Sequence, residues 1–157
     1  MKKIISVLVI AMMISAAGVA QKLTPGKVPK EIRKAFTKEF PKGAGASWSL
    51  DEGNYEVNFL VNQVKNSATF DKDGKWLEKE ATLKEKELPK PVKTTLKKEF
   101  KGFKLNTVEQ VETPDKGIQY HIVITKGGES FDLQLSPTGD VLNKETREIK
   151  KEEKKKK

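Results

Sequence analysis

Two stretches of this chain repeat one another. Val28-Pro29-Lys30 recurs as Leu88-Pro89-Lys90, and Lys38-Glu39-Phe40 recurs as Lys98-Glu99-Phe100, both at an offset of 60 residues. Further on the offset is 65: Tyr55-Glu56-Val57 matches Tyr120-His121-Ile122, Phe70 matches Leu135, Gly74 matches Gly139, and Lys79-Glu80 matches Lys144-Glu145. The five extra residues fall around the turn-forming run Glu112-Thr113-Pro114-Asp115-Lys116-Gly117. Turns are where a duplicated fold tolerates an insertion.

Each copy opens with helical spacing. Ile32, Ala35, Phe36 and Phe40 fall on one stripe opposite Arg33, Lys34 and Lys38, and Val92, Leu96 and Phe100 repeat the stripe. Pro29 and Pro89 suit the first helical turn, while Pro41 and Gly102 stop the two helices. The spacing then changes to two. Tyr55, Val57, Phe59 and Val61 point one way and Glu56, Asn58, Leu60 and Asn62 the other, a pattern that Ile118, Tyr120, Ile122 and Ile124 reproduce. Further strands are expected over 46–50, over 105–111, around Phe70 and Leu133, and from Trp76 and Val141, separated by Gly- and Asp-rich turns. The predicted fold class is α+β: two tandem repeats, 28–84 and 85–149 after a linker at 21–27, each with one helix packed on an antiparallel sheet of about four strands. A unit of under ~60 residues buries little surface, so the copies are expected to pack together or to extend each other's sheet.

The two ends read differently. Met1-Lys2-Lys3, an apolar run to Ile14 and small residues through Ala20 have the three parts of a secretory signal, with cleavage expected after Ala20. The apolar run is shorter than the ~20 residues a bilayer span needs, and no Cys follows it to take a lipid. The expected product is periplasmic or secreted, with no membrane span. Removing 1–20 lowers the net charge from +9 to +7, and six Lys with two Glu crowd into residues 150–157. Such a block cannot bury anything and reads as a disordered lysine-rich tail.

The hydrophobic-Pro start, the helix ending in Lys-Glu-Phe-Pro at 38–41, Tyr55-Glu56-Val57 and the Phe70-Asp71-Lys72-Asp73-Gly74 turn together resemble the PepSY-like, beta-lactamase-inhibitor-like family. The resemblance covers both copies, and the first is the nearer match. It implies tandem helix-on-sheet modules outside the cytoplasm that bind rather than catalyse. Related PepSY modules occur in protease propeptides and restrain peptidases, and the beta-lactamase inhibitor grips its enzyme with a concave, aromatic-bearing sheet.

Chemistry is thinly represented among the residues themselves. The absence of Cys excludes disulfides, thiolate metal sites and cysteine nucleophiles, and one His supports neither a triad nor a His-rich metal site. Asp71 and Asp73 start like a calcium loop, but Gly74 stands at the fourth position and Trp76 at the sixth, where the loop needs its glycine, so a hairpin turn accounts for them. Neither a metal nor a cofactor is expected, and no phosphate loop or nucleophile elbow is present, so the protein is read as a non-enzyme.

The binding candidates are Trp48 and Trp76, which occur only in the first copy near strand ends; Leu60 and Val123, apolar residues out of phase with their strands; and His121. Tyr55 and Tyr120, in phase with apolar neighbours, read as core. His121 falls beside Val123 on the face opposite Tyr120, either as an ordinary surface residue or as part of a binding surface. The expected partner is a protein or peptide, with inhibition or regulation of an envelope or secreted enzyme as the role. An anionic envelope polymer or lipid, held by the basic tail and surface, is the alternative. Nucleic acid is not expected, because no recognition motif accompanies the lysines, which alternate with glutamates along the folded body.

Overall fold

Pro29 and Pro89 hold extended backbone just ahead of two ten-residue helices, α1 (Lys30–Glu39) and α2 (Lys90–Glu99). Proline there forfeits no helical hydrogen bond. The computed structural model describes residues 21–147, so the expected signal segment and the lysine-rich tail lie outside the described residues. The strands are β1 (Gln21–Leu23), β2 (Ala44–Asp51), β3 (Asn54–Val61), β4 (Val64–Phe70) and β5 (Trp76–Thr82) before α2. After it come β6 (Lys104–Thr113), β7 (Gly117–Lys126), β8 (Glu129–Leu135) and β9 (Val141–Thr146).

The expectation of two helix-on-sheet repeats, each with its own sheet of about four strands, is corrected here. All nine strands form one antiparallel sheet whose order is the order of the chain, β1 to β9. The reason lies in the strand edges. A four-stranded unit ending at β5 would leave a row of unpaired backbone groups in water; instead β5 pairs with β6 from Lys79↔Glu112 to Thr82↔Glu109, and Leu83 N donates to Val108 O at 2.8 Å. Gln21–Leu23, read as linker from sequence, adds a further strand against β2. The β6–β7 hairpin is longer than the β2–β3 hairpin, with strands of ten residues against eight.

Two hydrophobic clusters lie on the helix-bearing face. Under α1, Ile32 and Phe36 meet Trp48, Val57, Phe59 and Phe70, and Phe36 stands edge-on to both Trp48 and Phe59, with ring centroids 5.5 and 5.0 Å apart. Under α2, Val92 and Leu96 meet Ile122, Ile124, Leu133 and Leu135. Burying each such side chain contributes roughly 1.5–3 kcal/mol, which fixes which face of the sheet turns inward. Tyr120 is also buried in this cluster, and burial pushes its hydroxyl pKa up.

Turn chemistry locks the hairpins. Asp71 Oδ1 accepts from the backbone N–H of both Asp73 and Lys75 at 2.9 Å. The corresponding β8–β9 turn docks on α2, where the Thr95 hydroxyl donates to Gly139 O at 2.7 Å.

Candidate open-face interface

Because side chains alternate along a strand, the register that buries one face determines the other. Cross-strand pairs Ser49↔Glu56, Asn58↔Ser67, Ser67↔Glu80, Glu80↔Val111, Glu109↔His121, Val123↔Asp132 and Asp132↔Glu145 all point away from the helices. A band of carboxylates therefore crosses the uncovered face. It runs through Glu56 on β3, Glu78 and Glu80 on β5, Glu109 on β6, Asp132 on β8 and Glu145 on β9.

His121 sits inside this band. Its Nδ1 lies 3.8 Å from Glu109 Oε2 and its Nε2 lies 3.4 Å from Asp132 Oδ1, while Arg147 Nη1 lies 3.8 Å from the same Asp132 oxygen. His121 Nε2 and Asp132 Oδ1 are shut off from solvent and have no hydrogen-bond partner among the described residues. Glu80 accepts a 3.2 Å hydrogen bond from the Ser67 hydroxyl. Burial, reinforced by the charge of Glu80, raises the carboxyl pKa of both Glu78 and Glu109; Lys116 opposes the rise at Glu78 and His121 opposes it at Glu109. By register Lys22, Lys65, Lys104 and Arg147 share this face, four cations against the six carboxylates of the band. The arrangement offers hydrogen-bond acceptors and negative potential to a cationic or donor-rich surface. Among the described residues, no group of three or more His, Asp or Glu is arranged to hold a metal ion.

The opposite side of the molecule is basic. Lys30, Arg33, Lys34 and Lys38 line a shallow depression along α1, and Lys90, Lys93, Lys97 and Lys98 stud α2.

The five sequence candidates separate between the two faces. Trp48 is 4% exposed in the core under α1, so it offers a partner nothing to touch. Trp76 packs on the same side, edge-on to Phe40 at 6.0 Å. The alternation Ala46-Ser47-Trp48-Ser49-Leu50 carried this signal. Leu60, His121 and Val123 lie on the open face. Leu60 is 42% exposed near the end of β3, whereas Val123 is 5% exposed and hemmed in by its polar neighbours. His121 and Val123 are adjacent on β7, but Leu60 stands four strands away. Sequence reasoning missed Glu78, Glu80, Glu109 and Asp132. The available clue was Glu78-Lys79-Glu80, which on a strand sends both glutamates to one face and the lysine to the other.

Similar folds occur in solved structures. A BLIP-like protein from Bacteroides fragilis superposes with a TM-score of 0.74 at 20% identity, over 81% of this chain and 93% of that one. A protein from Bacteroides eggerthii described as "putative periplasmic" gives 0.70 at 24% identity, over 76% of this chain and 88% of its own. No curated protein matches the chain. Among the described residues, no helix is long and apolar enough to cross a membrane. The family described as "Putative beta-lactamase-inhibitor-like, PepSY-like" matches residues 53–143, more than half of the sequence, from the β2–β3 turn into β9. The chain belongs to this PepSY-like family.

Proposed function

We propose that this is an exported, non-catalytic binding protein whose uncovered sheet face engages a protein or peptide partner and restrains or regulates an enzyme of the periplasm or medium. The observation that carries this reading is the sheet itself: both helices lie on one side, and the other side presents side chains from nine strands with no element laid over them among the described residues. The inhibitor-like family supports it. The action is surface complementarity, with no bond made or broken.

The test places a photo-crosslinking residue at Leu60 on the open face or at Thr37 on the exposed side of α1, and exposes each variant to envelope extract. A discrete protein adduct from Leu60 and none from Thr37 is the expected result. Adducts from Thr37 alone overturn the reading.

A second reading rests on the basic helices. The lysines of α1 and α2 and the lysine-rich tail would hold an anionic envelope polymer or lipid. Binding of that kind collapses between about 50 and about 200 mM salt and is lost when residues 150–157 are deleted, whereas a partner held at the open face survives that deletion.

A further inference from the structure

The molecule is strongly basic overall, yet the face it leaves uncovered is acidic. The nearest cationic segment is its own. β9 ends at Thr146, and the next residue, Arg147, already turns to the open face: its N–H donates to Ser130 O at 2.8 Å and its guanidinium approaches Asp132 at 3.8 Å. Ten residues follow Arg147, with six lysines against three glutamates. Fully extended they span ~33 Å, at about 3.3 Å per residue. Four inter-strand steps from β9 to β5 require only ~19 Å, at about 4.8 Å each.

We propose that the lysine-rich segment after Arg147 folds back across the open face and lies along the carboxylate band from Asp132 through Glu109 to Glu80 and Glu78, occupying in cis the surface a partner would use. This rests on the reading of the open face as the binding face, and adds its regulation. Three observations support it: charge complementarity, a reach that exceeds the distance, and an entry point already pinned by Arg147. Individual lysine–carboxylate pairs on a surface contribute little, but a tether holds the segment at millimolar effective concentration, so weak pairs suffice. A partner must then displace the segment, which makes occupancy of the face sensitive to ionic strength and to any competing polyanion that draws the lysines away.

The experiment uses the chain from Gln21 to Lys157 with a nitroxide on the variant Lys156→Cys, a clean label because the protein has no other Cys. Methyl signals are compared between Val123, on the open face, and Val92, on the buried side of α2. At about 20 mM salt the Val123 methyls are expected to lose most of their intensity while those of Val92 persist, and about 500 mM salt should restore Val123. Combining Glu80→Gln and Glu109→Gln should restore it at low salt too. Equal broadening of the two residues, or none at either, overturns the proposal. Broadening that appears when labelled and unlabelled chains are mixed also overturns it, because the segment then docks on a second copy. The partner reading fails separately: a free tail with open-face crosslinks removes only the strap, and a docked tail without crosslinks removes only the partner.

Discussion

Gly139 and Gly74 occupy matching turns, with φ of +89° and +83°, and yet replacing each by alanine should cost very different amounts. Both substitutions place a Cβ in left-handed backbone, a penalty of roughly 1–2 kcal/mol. Both also reduce the freedom of the unfolded chain by the same amount, which cancels in the comparison. The surroundings differ. A Cβ at Gly74 meets Ala35 Cβ at 3.7 Å, an ordinary contact, whereas at Gly139 it meets the Pro91 carbonyl carbon and oxygen at 2.8 Å and the Thr95 hydroxyl at 3.0 Å. Backbone cannot rotate away as a side chain can, so the β8–β9 turn must lift from α2. Overpacking of that kind costs about 1–3 kcal/mol, and the 2.7 Å hydrogen bond from Thr95 to Gly139 O, worth about 0.5–1.5 kcal/mol, is strained or lost with it. Gly139→Ala should therefore exceed Gly74→Ala by about 1–4 kcal/mol in urea unfolding at equilibrium, with a correspondingly lower Tm. Equal losses, or a larger one at Gly74, would refute the reasoning that α2 and the turn are in close contact.

Other outcomes follow from the same structure. Glu109 has a pKa raised by folding, so the native state binds its proton more tightly than the unfolded chain does and stability from this group declines as pH rises through the raised value. Glu109→Gln should accordingly be more stable than the parent at pH 7, with the gap closing as pH falls toward the ordinary glutamate value of about 4.3; a gap independent of pH contradicts this. Asn62 and Gln63 form the β3–β4 turn with φ of +51° and +66°, so Gln63→Gly should stabilise by about 0.5–1 kcal/mol, read as a higher urea midpoint with an unchanged slope. Trp48→Ala should cost about 3–5 kcal/mol because the ring is core, whereas Leu60→Glu should stay within about 0.5 kcal/mol of the parent and weaken only partner binding; thermal melts beside the crosslinking assay separate the two effects.

Local periodicity made much of the fold legible. The inward sets of β3 and β7, the helical stripes and the turn residues all follow from spacing within a single element, and His121 was correctly placed opposite Tyr120. What local spacing does not encode is how elements meet. The β5–β6 seam depends on which edge finds which partner across an intervening helix, so local spacing leaves two packed sheets and one shared sheet equally open. The three-residue β1 carries too short a pattern to register a period. Trp48 was nominated for a surface on account of its residue type, although its alternation with Ser47 and Ser49 already assigned it to the core. The carboxylate band was hidden because its members come from five strands, and because alternation of lysine with glutamate looks like charge mixing along the sequence. On a strand, the same alternation is charge separation.

The strand order carries a consequence for how the chain acquires its structure. Six of the eight strand pairings join hairpin neighbours, and the remaining two, β1–β2 and β5–β6, are each bridged by a three-residue 3-10 turn and one α-helix. No strand has to wait for a partner from the far end of the chain, so little loop-closure entropy opposes any one step. Sheets usually fold slowly because their pairings are distant in sequence; here they are close, and folding on the fast side for a β-rich protein is expected. A chain emerging N-terminus first can lay each strand on the one before it, leaving a single growing edge at any moment.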